Sequence, residues 1–284
     1  MTTTIYRTPE GGAEILAFYE QLLTQWPVPH TRLTVPTRHG DTFVMASGAE
    51  AAPPLVLIHG TAANSITWMG DVVHYAKYFR VYAADIPGEP GKSDPQRFSW
   101  EGTAFVEWMD DLLNGLAIER ATLGGMSLGG WAALKYAIHH PARVERLILI
   151  VPGGICQPRL AFIARVLIYS LLGQWGQDRL KDYIFHGAAL PPDAEHFLTL
   201  VNRHFCYRTG SLPLFSDEQL RSLTMPVIFL AGENDVLLNT PKTAERLTHL
   251  VPNITVECYA DVGHATINTA ARVLELISSA AILH

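Results

Sequence analysis

The stretch Ala121-Thr122-Leu123-Gly124-Gly125-Met126-Ser127-Leu128-Gly129-Gly130-Trp131 decides the fold. An apolar run leads into Ser127, an alanine-rich run follows it, and glycines stand two residues before and two residues after it. A serine that attacks a carbonyl must project clear of its own backbone. A sharp turn between a strand and a helix achieves this but crowds the neighbouring residues, which favours glycine. The stretch therefore predicts a strand, a tight turn that exposes Ser127, and a helix whose N-terminal N–H groups face developing negative charge.

Short apolar runs alternate with helical patterns along most of the chain, which indicates a mostly parallel sheet covered by helices. Besides the run before Ser127, strands are predicted over residues 31–36, 42–47, 55–58, 80–84, 144–151, 225–231 and 254–259. Helices are predicted over residues 14–26, 68–79, 100–116, 240–250 (with Thr240 as N-cap) and 265–283. Ligands of such sheets bind beyond the carboxyl ends of the strands, where His59, Asp85 and Ser127 all stand.

The alternation stops between residues 154 and 223, where helical patterns follow one another and no strand is evident. Residues 159–175 have a strongly apolar helical pattern, and residues 178–185 and 194–205 predict further helices. We expect residues 1–153 and 224–284 to form the core, and residues 154–223 to form a helical cap over an apolar pocket. An ordinary set of packing helices is the alternative that the sequence leaves open.

Composition and charge disfavour several classes of protein. The 284 residues are 48% hydrophobic and have a formal net charge of -6 without a run of Lys or Arg, so nucleic acid is not an expected partner. Cys156, Cys206 and Cys258 form no CxxC pair, which predicts neither a disulfide nor a zinc cluster. The first ten residues lack a signal-peptide pattern, and no apolar run reaches membrane-spanning length. We expect a cytoplasmic protein without a membrane span.

Asp235 and His264 follow the last two predicted strands and complete a set of residues suited to nucleophilic catalysis. A serine hydroxyl is a poor nucleophile at neutral pH. It needs a base to accept its proton, and the base needs an anion to orient it. The chain order serine, aspartate, histidine is one of the known orders of such triads.

Five motifs carry a resemblance to the α/β-hydrolase superfamily over nearly all of the chain, in the serine-nucleophile, carboxylesterase-like branch with a helical lid. They occur once each and in the family's order: His59-Gly60, Asp85-x-Pro87-Gly88 leading to Ser93, Gly125-Met126-Ser127-Leu128-Gly129-Gly130, Gly232-Glu233-Asn234-Asp235 and Gly263-His264. The resemblance implies an α/β fold with a mostly parallel eight-stranded sheet, helices on both of its faces and an inserted helical cap.

The resemblance also implies roles for individual residues. Ser127 would be the nucleophile, His264 the general base and acid, and Asp235 the carboxylate that orients the imidazole. The oxyanion hole would use the backbone N–H groups of Leu128 and Thr61, the second donor being assigned to within one residue. One departure is the loop Gly88-Glu89-Pro90-Gly91, which is a residue longer than the family's usual glycine pair and concerns the pocket rather than the triad.

Other titratable residues have weaker claims to the same roles. Glu233 is the second candidate for the orienting acid. Asp261 stands only three residues before His264 and cannot readily face the far ring nitrogen, so a turn role is expected. His59 and Asp85 are expected to hold loops by hydrogen bonds rather than to titrate in catalysis.

No cofactor and no metal ion are expected. Gly91-Lys92-Ser93 imitates the end of a phosphate loop, but that pattern requires a glycine where Ile86 stands. The glycines around Ser127 do not match the spacing of a dinucleotide-binding fingerprint, and no H-E-x-x-H or comparable cluster occurs.

A serine nucleophile predicts an acyl-enzyme, and the apolar cap predicts an ester with a hydrophobic or aromatic acyl group. The expected partner is this small-molecule ester, and a homodimer is left open. The candidate pocket residues are Trp68, Met126, Phe162, Ile163, Val166 and Leu167. Carbon–carbon bond hydrolysis by the same triad, and a ligand-binding sensor on a hydrolase scaffold, are the alternatives.

Overall fold

The computed structural model describes residues 4–157, 160–187, 190–264 and 268–281. Its strands are β1 (His30–Val35), β2 (Thr42–Ser47), β3 (Pro54–Ile58), β4 (Arg80–Ala84), β5 (Ala121–Met126), β6 (Val144–Ile150), β7 (Val227–Gly232) and β8 (Ile254–Tyr259). Its helices are α1 (Pro9–Leu23), α2 (Met69–Tyr75), α3 (Ala104–Gly115), α4 (Leu128–His139), α5 (Leu160–Ser170), α6 (Gly173–Phe185), α7 (Pro192–His204), α8 (Asp217–Arg221), α9 (Thr240–Leu250) and α10 (Ala270–Ala281).

The eight described strands form one sheet in the order β1-β2-β4-β3-β5-β6-β7-β8. Strand β2 is antiparallel to both of its neighbours, and the strands from β4 to β8 pair in parallel. All of β7 and nearly all of β3 are buried, because their near-continuous apolar sequences are covered on both faces. The predicted mostly parallel sheet with covering helices is confirmed.

The direction of the strands brings the functional candidates to one edge. Parallel strands have their carboxyl ends on the same side of the sheet, and in this sheet β3, β4 and β5 lead directly to His59, Asp85 and Ser127. Strands β7 and β8 lead, after short loops, to Asp235 and His264. Residues more than a hundred positions apart in sequence therefore meet at a single edge.

Helix α1 begins at Pro9, five residues before the predicted start at Glu14. The hydroxyl of Thr8 accepts a hydrogen bond from the Gly11 N–H at 3.0 Å, and proline occupies the first turn, as is common at helix N-termini. The glycines that weaken the helical pattern have a packing reason, because a Cβ on Gly11 would overlap the ring of His204.

The described residues between β6 and β7 form four helices, α5 to α8, and we call residues 154–223 the helical insertion. The apolar pattern over residues 159–175 predicts one helix, but the structure has two, because α5 ends at Ser170 and α6 begins at Gly173 with φ +56°. Helix α8 is absent from the sequence prediction, although Ser216 and Gln219 form a capping box at its start.

Two expectations about helix starts are wrong or incomplete. Thr240 is the first residue of α9 rather than its N-cap, since its hydroxyl donates to the Gly232 carbonyl at 2.7 Å and Asn239 precedes the helix. Helix α10 begins at Ala270, and residues 265–267 and 282–284 of the predicted helix lie outside the described residues. None of the helices in the described part of the chain combines the length and the apolar character needed to cross a membrane.

Candidate active site

Ser127 occupies a strained turn between β5 and α4. Its backbone has φ +50° and ψ -109°, a conformation that residues with a side chain rarely adopt. The surroundings hold it there, since the Ser127 N–H donates to the Ile150 carbonyl at 2.9 Å and the Ser127 carbonyl accepts from the Trp131 N–H at 3.0 Å. The turn places Ser127 directly before the first residue of α4.

The two glycines that flank Ser127 are required by space. A Cβ on Gly129 would overlap the carbonyl oxygens of Ile58 and His59, and a Cβ on Gly125 would overlap the backbone of Gly129. Helix α4 therefore approaches β3 and β5 more closely than any side chain would allow. The G-x-S-x-G spacing is a steric consequence of this contact.

The side chains of Ser127, His264 and Asp235 form a connected chain. Ser127 Oγ lies 3.3 Å from His264 Nε2, and His264 Nδ1 lies 2.7 Å from Asp235 Oδ2. Asp235 is fully buried, and its Oδ1 accepts the N–H groups of Leu237 and Leu238 at 2.8 and 2.9 Å. The carboxylate is held on both oxygens, so it can fix the imidazole tautomer that leaves Nε2 facing the serine.

The helical insertion contacts the loop that carries the imidazole. The backbone N–H of His264 donates to the carbonyl of Ile184, at the end of α6, at 3.1 Å. A Cβ on the preceding Gly263 would approach this carbonyl and the side chain of His186 within 3 Å. The position of the imidazole therefore depends on the end of α6 as well as on the sheet.

The N–H groups of Leu128 and Thr61, in the segments next to Ser127, are candidates for binding a negatively charged oxygen. Gly60, directly after β3, lies against Ser127, since a Cβ on it would be 3.5 Å from that of the serine. Within the described residues, the N–H groups of Leu128 and Thr61 donate no hydrogen bond. The next N–H, that of Ala62, is already bound at 2.6 Å to Oε2 of Glu89. Leu128 and Thr61 are the two donors that the sequence predicts for an oxyanion hole.

His59 and Asp85 hold the loops around this edge, as expected. His59 Nε2 accepts the Ile86 N–H at 2.8 Å, and burial lowers the pKa of its imidazole, which keeps the ring neutral. Asp85 accepts hydrogen bonds from the hydroxyl of Tyr19 at 3.0 Å and from the N–H of Ser65 at 2.8 Å. Both residues are fully buried and tie the loop after β3 to the loop after β4.

The two other candidates for the orienting acid do not bind the imidazole. Glu233 and Asp261 are exposed, and Asp261 occupies a turn with φ +57°. Neither forms a hydrogen bond with His264, whose Nδ1 is bound to Asp235. Across residues 4–157, 160–187, 190–264 and 268–281, no group of three or more His, Cys, Asp or Glu side chains could hold a metal ion.

The predicted pocket residues fall into three groups. Met126, Phe162 and Val166 are half-buried. Trp68 is fully buried in the packed core, so it takes no part in the pocket proposed below. Ile163 and Leu167 belong to α5, but their side chains lie outside the described residues.

Sequence reasoning missed Glu89, which is 1% exposed and contacts the loop of the predicted oxyanion donor. The one signal was the extra residue in Gly88-Glu89-Pro90-Gly91, which lengthens the loop after β4.

Comparisons with known proteins agree with this geometry. Residues 55–276 match the alpha/beta hydrolase family. Carboxylesterase YbfK of Bacillus subtilis is 31% identical over 271 residues, which cover 90% of this chain and 88% of that protein. The crystal structure of naproxen esterase (carboxylesterase NP) from Bacillus subtilis has a TM-score of 0.84 at 27% identity, over 95% of this chain and 99% of that one. The 2-hydroxymuconate semialdehyde hydrolase of Pseudomonas sp. is 26% identical, over 79% of this chain and 85% of that protein.

Proposed function

The chain belongs to the alpha/beta hydrolase family, in its carboxylesterase-like branch, and from this premise we propose that it cleaves carboxylic esters of small hydrophobic or aromatic groups through an acyl-enzyme on Ser127. The observation that carries the proposal is the connected chain from Ser127 Oγ through His264 to buried Asp235, with distances of 3.3 and 2.7 Å. Ester cleavage itself follows from the family. The acyl-enzyme and the class of substrate are our proposal.

Each half of the proposed reaction uses the same three side chains. His264 Nε2 takes the proton of Ser127 as Oγ attacks the ester carbonyl, and a tetrahedral intermediate with one negatively charged oxygen forms. When the carbon–oxygen bond to the alcohol breaks, His264 returns that proton to the leaving oxygen. Water then attacks the acyl-enzyme and loses a proton to His264. As the bond between the acyl carbon and Ser127 Oγ breaks, His264 returns this proton to Oγ, which releases the carboxylic acid and restores the serine hydroxyl.

The N–H groups of Leu128 and Thr61 would stabilise the negatively charged oxygen. Each such donor is worth about 10²- to 10³-fold in kcat, because it is already oriented before charge develops. Leu128 is the first residue of α4, so the N-terminal end of the helix dipole adds to its effect. Thr61 is supported over its neighbour because the Ala62 N–H already donates to Glu89.

The apolar surface of the helical insertion supports the proposed class of substrate. Among its described side chains, the large apolar ones that are exposed are Ile168, Leu171, Leu172, Trp175, Tyr207 and Leu214. We propose that the insertion acts as a cap, with Met126, Phe162 and Val166 among the residues that contact the ester. Contact with apolar acyl or alkyl groups would remove such side chains from water, which is favourable.

The first test is Ser127→Ala. Loss of the nucleophile should lower kcat/KM for p-nitrophenyl esters by about 10⁶-fold. Thermal stability should change little, and a fluorophosphonate should label the native protein once and the variant not at all. Ser279→Ala, at an exposed serine of α10, is the matched control and should keep full activity and labelling. Unchanged turnover in Ser127→Ala would contradict the proposal.

A panel of substrates separates the alternatives. Esters of increasing acyl length, run beside a vinylogous diketone, distinguish ester hydrolysis from carbon–carbon bond hydrolysis by the same triad. The likeness to the 2-hydroxymuconate semialdehyde hydrolase, at 26% identity, is the reason to include the substrate that is not an ester. Tight ligand binding without fluorophosphonate labelling would instead indicate a sensor.

A further inference from the structure

Glu89 is a buried acid that the proposed reaction does not use. It is 1% exposed, its Oε2 accepts the Ala62 N–H at 2.6 Å, and its Oε1 has no hydrogen-bond partner among the described residues. Burying a carboxylate with one free oxygen is unfavourable, which favours a role for this residue beyond packing. Within the described residues, the one hydrogen bond of its carboxylate goes to Ala62, the residue that follows the predicted oxyanion donor Thr61.

The loop that Glu89 contacts has a backbone conformation that needs support. Ala62 has φ +58°, which costs on the order of 1 kcal/mol for a residue with a side chain. The loop is clamped a second time where the Asn64 side-chain amide donates to the Pro90 carbonyl at 2.9 Å. Two consecutive residues, Glu89 and Pro90, therefore hold the loop after β3 in place from the loop after β4.

We propose that Glu89 is a positioning residue, which fixes the strained conformation of Ala62 and thereby aims the Thr61 N–H at the ester oxygen that becomes negatively charged. This inference rests on the proposed function of Ser127. Glu89 itself does not touch the substrate. It acts through residue 61: the peptide unit that carries the Ala62 N–H is planar, so holding that unit fixes one end of residue 61, and the Thr61 N–H stands at the other end.

Charged and titratable groups face Glu89 from three other segments. Arg97 and Arg208 favour its ionised form, and Tyr6 and Tyr207 are the nearby phenols. Burial has the larger effect and raises the pKa of Glu89 to about 7. Since a carboxylate accepts a stronger hydrogen bond than a carboxylic acid, the hydrogen bond from the Ala62 N–H should weaken as the pH falls through this range.

The main experiment compares Glu89→Gln and Glu89→Ala with the native protein on a p-nitrophenyl ester and on its thiono analogue. Sulfur accepts hydrogen bonds poorly, so the ratio of the two kcat/KM values reports the oxyanion hole. Glu89→Ala should lower kcat for the ester by about 10- to 100-fold, which is less than the loss expected when one oxyanion-hole donor is removed entirely. KM should stay within about twofold of the native value. The preference for the ester over the thiono ester should shrink. Glu89→Gln, which keeps an acceptor oxygen, should be intermediate.

Asp111→Asn is the matched control, because Asp111 likewise accepts a backbone N–H, that of Arg38 at 2.8 Å, on the outer side of α3. This variant should keep the native kcat and the native ester preference. If Glu89→Ala keeps both while its melting temperature falls, Glu89 is merely structural and the inference is wrong. If Glu89→Ala does not fold, the same comparison is made with Glu89→Gln.

The pH dependence of kcat gives a readout that a structural role would not move, whereas the pH dependence of stability reports only the raised pKa of Glu89. In the folded protein Glu89 keeps its proton up to a pKa of about 7, whereas in the unfolded chain it loses the proton near its ordinary pKa of 4.5. The free energy of unfolding of the native protein, relative to that of Glu89→Gln, therefore falls as the pH rises through about 7. The melting temperature of Glu89→Gln, relative to that of the native protein, should therefore rise between about pH 5 and about pH 8. Its kcat should be lower than the native value and should fall less steeply on the acid side of the pH profile. An acid limb of the kcat profile that is equally steep in the native protein and in Glu89→Gln contradicts the inference.

Fluorophosphonate labelling separates the two levels of the proposal. Native labelling of Ser127 together with unchanged kinetics in both Glu89 variants would refute only the role of Glu89. Retained activity in Ser127→Ala would refute the proposed function first.

Discussion

The strands that lead to the site and the helices of the insertion differ in how deeply their side chains are buried. Strand β7, which leads to Asp235, is buried along its whole length. In the insertion, by contrast, Leu171 is 79% exposed and Trp175 is 56% exposed. A buried strand can hold a side chain to within a fraction of an ångström, whereas a weakly packed pair of helices can change its shape at small cost. From this difference we expect a division of roles between sheet and insertion: the sheet fixes the positions of the catalytic side chains, and the insertion selects the substrate.

The largest effect should come from the site on the sheet. Asp235→Asn removes the charge that stabilises the imidazolium and no longer fixes its tautomer, so kcat for a p-nitrophenyl ester should fall by about 10⁴-fold. Asp193→Asn, at an exposed acid in the first turn of α7, should leave kcat unchanged. If the two substitutions have similar effects, the proposed division between sheet and insertion fails.

A smaller difference should appear in stability when alanine replaces glycine in each region. Gly129→Ala would push a methyl group into the carbonyls of Ile58 and His59, and should lower the free energy of unfolding by about 3 kcal/mol. Gly173→Ala at the start of α6 meets no atom within 4 Å, and should cost only about 1 kcal/mol for its φ of +56°. Urea denaturation measures both values, and equal costs would show that the insertion is packed as tightly as the sheet.

The smallest effect should come from the exposed face of the insertion. Trp175→Ser should lower the free energy of unfolding by no more than about 1 kcal/mol, because the side chain is 56% exposed and the ring makes an edge contact with Tyr169 and a cation–π contact with Arg179. If the insertion selects substrates, KM for long-chain p-nitrophenyl esters should rise by about two- to fivefold, which corresponds to less than about 1 kcal/mol. Tyr78→Ser, at a 61% exposed aromatic residue outside the insertion, should leave KM unchanged for esters of any length. Identical behaviour of the two variants would remove the support for a cap.

The sequence predicted the features that depend on local patterns. The apolar runs of the strands and the glycines at 125 and 129 follow from contacts that any sequence with this sheet and turn must make. Ser127, Asp235 and His264 each follow a predicted strand of a mostly parallel sheet, and together with the family resemblance this position predicted that they meet at one edge. The geometry agrees, since the two distances that join them are 3.3 and 2.7 Å.

The features that the sequence could not predict depend on contacts between distant segments. Glu89 meets Ala62 across 27 positions, and nothing in either segment indicates the hydrogen bond. The break at Gly173 was hidden because the apolar pattern of α5 continues past its end. The early start of α1 was hidden because Gly11 weakens the helical pattern, although the glycine is needed for contact with His204.

The hydrogen bond from the His264 N–H to the Ile184 carbonyl has a consequence for attempts to redesign the protein. Libraries that vary α6 in search of new substrates will also shift the peptide that carries the imidazole. Variants chosen for altered selectivity will then lose speed through misalignment of the base rather than through a poor fit to the substrate. Diversity is better introduced along α5, with the residues around 184 kept unchanged.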